Sequence, residues 1–310
     1  GSDKPDTRFG LELQDLSDIF ANCEFKVFAG ALAAGGSVRA IKVPNSADKL
    51  TRKVIDKLTE FVKDYGAKGL AFTRMTADGV ASSFEKFLSE AEVSALHERL
   101  DMKEGDVLLV VADGKNKVVW DSLGALRCEV ANRLGLIDKS RFNFLWVVDF
   151  PLFEYSEEEG RFVAMHHPFT APADDSVDRL LTDQGSCTAK AYDMVLNGCE
   201  VGGGSIRIND AETQARMFEA LGFTDEAARE RFGFFIDAFK YGAPPHGGMA
   251  YGLDRLVMLM LGLDSIRDVI AFPKVANSSE LMSGAPAVVD GQQLADLDIQ
   301  LITEASDDED

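Results

Sequence analysis

Apolar positions between Phe25 and Leu136 follow two different periods, which predicts a mixture of strands and helices. FKVFAG and VRAIKV read as strands, and Leu50, Val54, Leu58, Phe61 and Val62 then fall on one face of a helix. A second helical run is expected from Ser83 to Leu100. DVLLVVADG is a short apolar run closed by a turn, the pattern of a buried strand, and NKVVW reads as another short strand. Asp121 to Leu134 form an amphipathic helix with Leu123, Leu126, Val130 and Leu134 inward. Together these elements predict a self-contained α+β unit.

The pattern changes after Gly135. FNFLWVVDFPLFEY and RFVAMHH read as neighbouring antiparallel strands separated by the turn-forming SEEEG. AYDMVLNGCEVGGGSIRI predicts two strands around Asn197 and Gly198. Helices are expected to begin near Asp210 and Thr224, both able to cap free backbone N–H groups. Pro244 and Pro245 end the second of these, and Gly252 opens a third, LDRLVMLMLG, which stops at Gly262.

Charge narrows the possible partners. The 52 acidic against 32 basic residues give a formal charge of -20, so contact with a phosphate backbone must be local. No run approaches the ~20 apolar residues of a membrane span, and GSDKPDTRFG lacks a basic and apolar leader pattern, which predicts a cytoplasmic protein without membrane contact. Cys23, Cys128, Cys187 and Cys199 are scattered, without C-x-x-C or histidine at ligand spacing, and are read as reduced thiols. The acidic tail over 305–310 is read as solvated.

Candidate chemistry is concentrated in the second region, in His166, His167, Asp193, Glu200, Arg207 and Arg255. Asp193 and Glu200 stand seven residues apart across the predicted hairpin, so their carboxylates could converge on a hard cation such as Mg2+, or each could be separately solvated. Gly202 to Gly204 mark either the close approach of a ligand or a bulge and tight packing. Arg207 in the strand-like SIRI suits a carboxylate or phosphate, with a structural ion pair as the competing reading. Arg255 follows a glycine-rich loop in the first turn of a helix, where an anion such as a triphosphate is favoured. His166 and His167 adjoin on the predicted strand and should face opposite sides. Neither a G-x-S-x-G elbow nor a G-x-x-x-x-G-K-[ST] loop is present.

AMHHPFT, AYDMVLNGCEVGGGSIRI, KYGAPPHGGMAYGLDRLVMLMLG and IRDVIAFPK resemble, in order and spacing, the C-terminal half of bacterial aspartyl-tRNA synthetases. GLDR resembles the third signature motif of class II synthetases. The resemblance implies an α+β chain: residues 1–10 as a connecting segment, 11–138 as a separate α+β insertion domain, and 139–310 as the C-terminal half of an antiparallel-sheet class II catalytic core. It implies an aspartate-tRNA ligase that activates L-aspartate with ATP and transfers it to the 3′ end of tRNA(Asp), as a homodimer in the full-length protein.

Residue by residue, the resemblance implies that Arg207, Glu200 and Arg255 act in catalysis and that His166, His167 and Arg207 bind aspartate. Glu200, Gly252, Leu253, Asp254 and Arg255 would bind ATP, and Asp193 with Glu200 would hold Mg2+. An anticodon-binding barrel and the first two class II motifs have no counterpart in the sequence, so this stretch is expected to carry only part of the active site and to be inactive by itself. A catalytically inert module that contacts tRNA or protein is the alternative, and charging of the asparagine tRNA is a further reading within the enzyme class.

Overall fold

The structure, a computed structural model, describes residues 2–302. The acidic tail over 305–310 lies outside the described residues. Gly1–Tyr251 and Gly252–Asp310 form two compact units.

The first part of the larger unit contains β1 (Gln14–Asp15), α1 (Lys26–Ala33), β2 (Ser37–Val43), α2 (Arg52–Lys63), β3 (Ala71–Thr76), β4 (Gly79–Ser82), α3 (Glu90–Arg99), β5 (Val107–Asp113) and α4 (Asn116–Leu134). Its strands form one antiparallel sheet in the order β1-β2-β5-β3-β4. Strand alternation sends Ile41, Val43, Val107, Leu109 and Val111 to one face, where they pack with Ile55 and Leu58 of α2 and with Leu123 and Leu126 of α4. Val38, Ala40, Leu108 and Val110 face the other way, against Phe28 of α1 and Leu96 of α3. Cover on both faces explains why the predicted DVLLVVADG strand is apolar throughout.

Two expected strands are helices. NKVVW opens α4, because Val119 continues the buried stripe of Leu123, Leu126 and Val130 at helical spacing, and that shared burial overrides the strand preference of paired valines. FKVFAG enters α1, where Phe28 and Ala31 are buried three residues apart and the Phe28 ring lies 4.9 Å from that of Phe20. The helical run expected from Ser83 begins only at Glu90, where Ser89 and Glu92 form a reciprocal capping box. The β3–β4 hairpin was not anticipated.

The second region of this unit holds β6 (Phe144–Val148), β7 (Phe153–Ser156), β8 (Arg161–Ala164), β9 (Ala191–Leu196), β10 (Cys199–Ile206), α5 (Ala211–Ala220), α6 (Asp225–Ala238) and β11 (Gly247–Tyr251). β11-β10-β9-β6 form a four-stranded antiparallel sheet, and β7 and β8 form a separate two-stranded one. FNFLWVVDFPLFEY is therefore two strands in different sheets, divided at Asp149, whose φ of 58° turns the chain. Asp210 and Thr224 cap α5 and α6 as expected, accepting from the N–H of Thr213 and Ala227. The strand β11 was not foreseen in so glycine-rich a segment.

The smaller unit contains α7 (Leu253–Met260), a 3-10 turn over Ile266–Asp268, and α8 (Gly291–Asp296). Gly252 is the N-cap of α7 and Gly262 follows its end with φ of 68°.

Leu109 is fully buried at the centre of the five-stranded sheet. Leu109→Ala should destabilise that sheet by about 2–5 kcal/mol, measured as a shift in urea denaturation followed by circular dichroism. A loss below about 1 kcal/mol would mean that β5 is not the packed centre of this fold.

Candidate active site

The β9–β10 hairpin turns through Asn197 and Gly198, with φ of 52° and 83°, as a two-residue turn with both central φ values positive requires. Asn197 also accepts from the Asn143 backbone N–H at 3.0 Å and donates to the Arg141 carbonyl at 2.8 Å, tying the hairpin to the start of β6.

Register then decides which side chains meet. Glu200 pairs with Val195 and Gly203 pairs with Asp193, and the register shifts between Glu200 and Gly202. In an unbroken strand, residues 200 and 203 would point to opposite faces; the extra residue of the bulge puts Glu200 on the face of Asp193. A Cβ built on Gly203 would lie 2.4 Å from Asp193 Oδ1 and 3.4 Å from Glu200 Oε1, so the two carboxylates open onto one small volume. Burial, followed by the nearby Glu200 charge, pushes the Asp193 carboxyl above its ordinary range. His166, exposed, is close enough to act in the opposite direction.

Packing explains the flanking glycines. A Cβ on Gly204 would lie 1.9 Å from the Gly248 carbonyl oxygen, and one on Gly202 would lie 2.9 Å from both Met249 Cε and Tyr251 Cδ1. Of the two readings of this run, the bulge and the close approach of β11 suffice for Gly202 and Gly204.

His166 and His167 follow β8 instead of lying on it, so the expected opposite-face arrangement is corrected: Ala164 is the last paired residue, and the chain bends beyond it. His166 packs edge-on to Phe150, with ring centroids 5.2 Å apart. His167 turns toward Arg207, which lies just past β10 and bridges Thr170. The Phe169 N–H donates to His167 Nδ1 at 3.1 Å, and Arg207 Nη1 contacts the same ring. Burial, then the Arg207 charge and then His166, hold the His167 pKa below 6.5. Among the described residues, Arg207 has no carboxylate partner, which removes the structural ion pair as its explanation. A half-buried guanidinium packed on a neutral imidazole retains its attraction for an anion.

Gly252, Leu253, Asp254 and Arg255 fall in the smaller unit, where they form the N-cap and first turn of α7, with Arg255 exposed. Two acidic side chains with hard oxygen donors suit a cation that keeps water and phosphate among its ligands, the usual state of Mg2+. Among the described residues, no group of three or more His, Cys, Asp or Glu is placed to hold a metal. A cleft of about 960 Å³ lies elsewhere: Phe28 and Ala31 of α1, Leu70 and Val110 line it, with Lys68 and Asp113 3.8 Å apart at its polar end. It gathers no comparable set of reactive groups.

Because the fold favours neutral His167, its imidazole should titrate below 6.5 by NMR, and Arg207→Gln should raise the midpoint part of the way back. Depression of a base's folded pKa means the unfolded chain takes the proton first. This contribution to stability is therefore complete above the unfolded midpoint near 6.5, declines as pH falls toward the folded midpoint, and is constant below it. A midpoint at or above 6.5 would contradict the contact with Arg207.

No helix among the described residues is long and apolar enough to cross a membrane. Residues 1–276 match the family described as tRNA synthetases class II (D, K and N). An aspartate-tRNA(Asp/Asn) ligase of Lachnoclostridium phytofermentans is 59% identical over 99% of this chain and 51% of its own length. A protein of the same name from Caldanaerobacter subterraneus subsp. tengcongensis is 57% identical over 97% of the chain and 50% of its own. An aspartate-tRNA ligase of Agathobacter rectalis is 55% identical over 99% and 51%. The chain thus spans about half the length of these curated relatives, and it belongs to the class II tRNA synthetases of the D, K and N group.

Proposed function

We propose that this stretch supplies part of the active site of an aspartate-tRNA ligase, which activates L-aspartate with ATP and transfers the aspartyl group to the 3′ end of tRNA(Asp). The observation that carries the reading is the pairing of opposite preferences on β10 and its end. Asp193 and Glu200 meet over Gly203 as a cation site, while Arg207 stands on neutral His167 without a carboxylate partner among the described residues. Activation requires both, since two anions must be held together: the aspartate α-carboxylate bonds to the α-phosphorus as the bond from that phosphorus to pyrophosphate breaks.

In this reading, Arg207 grips the side-chain carboxylate of aspartate bidentately and His167 keeps the guanidinium oriented. An asparagine amide would set N–H groups against the same donors, which gives a physical basis for selectivity. His166 stands on the amino-acid side. Asp193 and Glu200 would hold Mg2+, and a magnesium ion bound there neutralises phosphate charge. The GLDR turn, Gly252, Leu253, Asp254 and Arg255 at the start of α7, has the chemistry of a phosphate site in its own unit, with helix N-terminal N–H groups and an arginine. We take residues 11–138 as an insertion domain, 1–10 as the segment leading into it and 139–310 as the C-terminal half of the catalytic domain, in a homodimeric cytoplasmic enzyme.

Calorimetric titration of the chain with a non-hydrolysable aspartyl-adenylate analogue tests this, beside Arg207→Ala with its fold checked by circular dichroism. Binding should weaken by about tenfold to a hundredfold in the variant, the range for loss of a charged hydrogen-bonded contact. Equal binding by both proteins would refute the role of Arg207. Binding by neither would refute the reading that this stretch assembles its part of the site unaided.

A further inference from the structure

Ser2 to Leu11 form no regular element, yet side chains from two regions of the fold hold them in place. Arg127 of α4, almost fully buried, donates through Nη2 to the Asp6 carbonyl at 2.8 Å and through Nε to the Leu11 carbonyl at 3.3 Å, and it also reaches the Gly10 carbonyl. Its guanidinium carbon lies 4.4 Å from the centroid of the Phe9 ring. Arg8 grips the Asp6 carboxylate from the other side, at 2.7 Å to Oδ2. Gly198, at the β9–β10 turn, approaches so closely that a Cβ there would lie 3.2 Å from Asp6 Cβ. Asn143 Nδ2 adds a contact with Thr7 Oγ1 at 3.4 Å.

The clamp leaves Lys4 beside the carboxylate pair. Its Nζ lies 3.9 Å from Glu200 Oε2 and 3.4 Å from the Asp3 carboxylate, and Lys4 and Asp3 act on Asp193 with opposite signs. Lys4 also borders an open cleft of about 480 Å³ shared with Asp6, Asp121, Arg127 and Gly198, which gives its side chain room to leave Glu200.

We propose that Lys4 is a displaceable counter-ion of the Asp193–Glu200 pair, held in reach by Arg127, and that it lowers the affinity of the pair for divalent cations until phosphate-bound metal takes its place. This inference rests on reading the pair as a cation site. Lys4 and Arg127 are positioning residues, and the insertion helix α4 tunes the pair through them without touching it.

Mn2+ binding to the whole chain, followed by electron paramagnetic resonance, is the test. Glu200→Gln should weaken binding about tenfold or more, and an unchanged affinity there would sink the cation-site reading itself, together with this inference. With that control in place, Lys4→Met should tighten binding by roughly three- to tenfold, the effect of removing one partly exposed cation from two carboxylates, while Lys4→Arg should stay within about twofold of the parent. Arg127→Met should shift affinity in the same direction as Lys4→Met, and the double variant should gain less than about twofold over Lys4→Met alone. Hydrogen exchange over residues 2–11 should rise in Arg127→Met. If that variant does not fold, Arg127→Lys, which keeps the charge and loses the fork, replaces it. Unchanged or weaker Mn2+ binding by Lys4→Met, or independent multiplying effects of the two substitutions, would overturn the proposal.

Discussion

The close approach of β9, β10 and β11 across Gly202, Gly203 and Gly204 is the constraint on which the candidate site depends. Ordinary side chains at Gly203 and Gly204 would collide with Asp193 and with the Gly248 carbonyl. The strands would then separate, and with them the groups they carry. The bulge between Glu200 and Gly202 is equally necessary, because it alone brings residues of opposite parity, Glu200 and Gly203, to one face. A site built this way inherits the stiffness of a hydrogen-bonded sheet, which suits a reaction that depends on positioning more than on a nucleophile.

The five-stranded sheet contributes differently. With both faces covered by helices, it gives α4 a fixed position, and α4 presents Arg127 to three backbone carbonyls of the opening segment, those of Asp6, Gly10 and Leu11. Burial works to raise the Asp6 pKa, but hydrogen bonds from the Arg8 side chain and backbone, with the charges of Arg8 and Arg127, outweigh it and hold the carboxyl below its ordinary range. The tie between the two sheets is thus electrostatic and directional, made of carbonyls, a guanidinium and one carboxylate.

Charge is distributed to match the proposed chemistry. The chain is strongly acidic overall, yet Arg207, half-buried just past β10, is matched with a neutral ring instead of an acid. That choice preserves an anion-seeking group where a carboxylate partner would have cancelled it. A few residues away, burial and then the Glu200 charge raise the Asp193 pKa, so a cation between the two acids would offset their repulsion.

The sequence by itself determined the features set by local chemistry and period: the buried β5 run, the amphipathic α2 and α4 stripes, the caps at Asp210 and Thr224, the Asn197–Gly198 turn, and the residue types of the site. Its errors came where local preference conflicted with long-range burial. Val118 and Val119 favour a strand but continue a helix stripe, and FKVFAG was taken into α1 by the Phe28 contacts with Phe20 and Phe84. Gly247–Tyr251 has little strand propensity and is a strand because β10 offers it a glycine-lined edge. Only the tertiary structure decided that Glu200 shares a face with Asp193, that His167 turns to Arg207 from beyond β8, and that Lys4 reaches the acids at all. A one-residue bulge and a contact between residues 121 positions apart, Asp6 and Arg127, leave no periodic trace, since each is selected by packing among distant segments and not by any pattern along the chain.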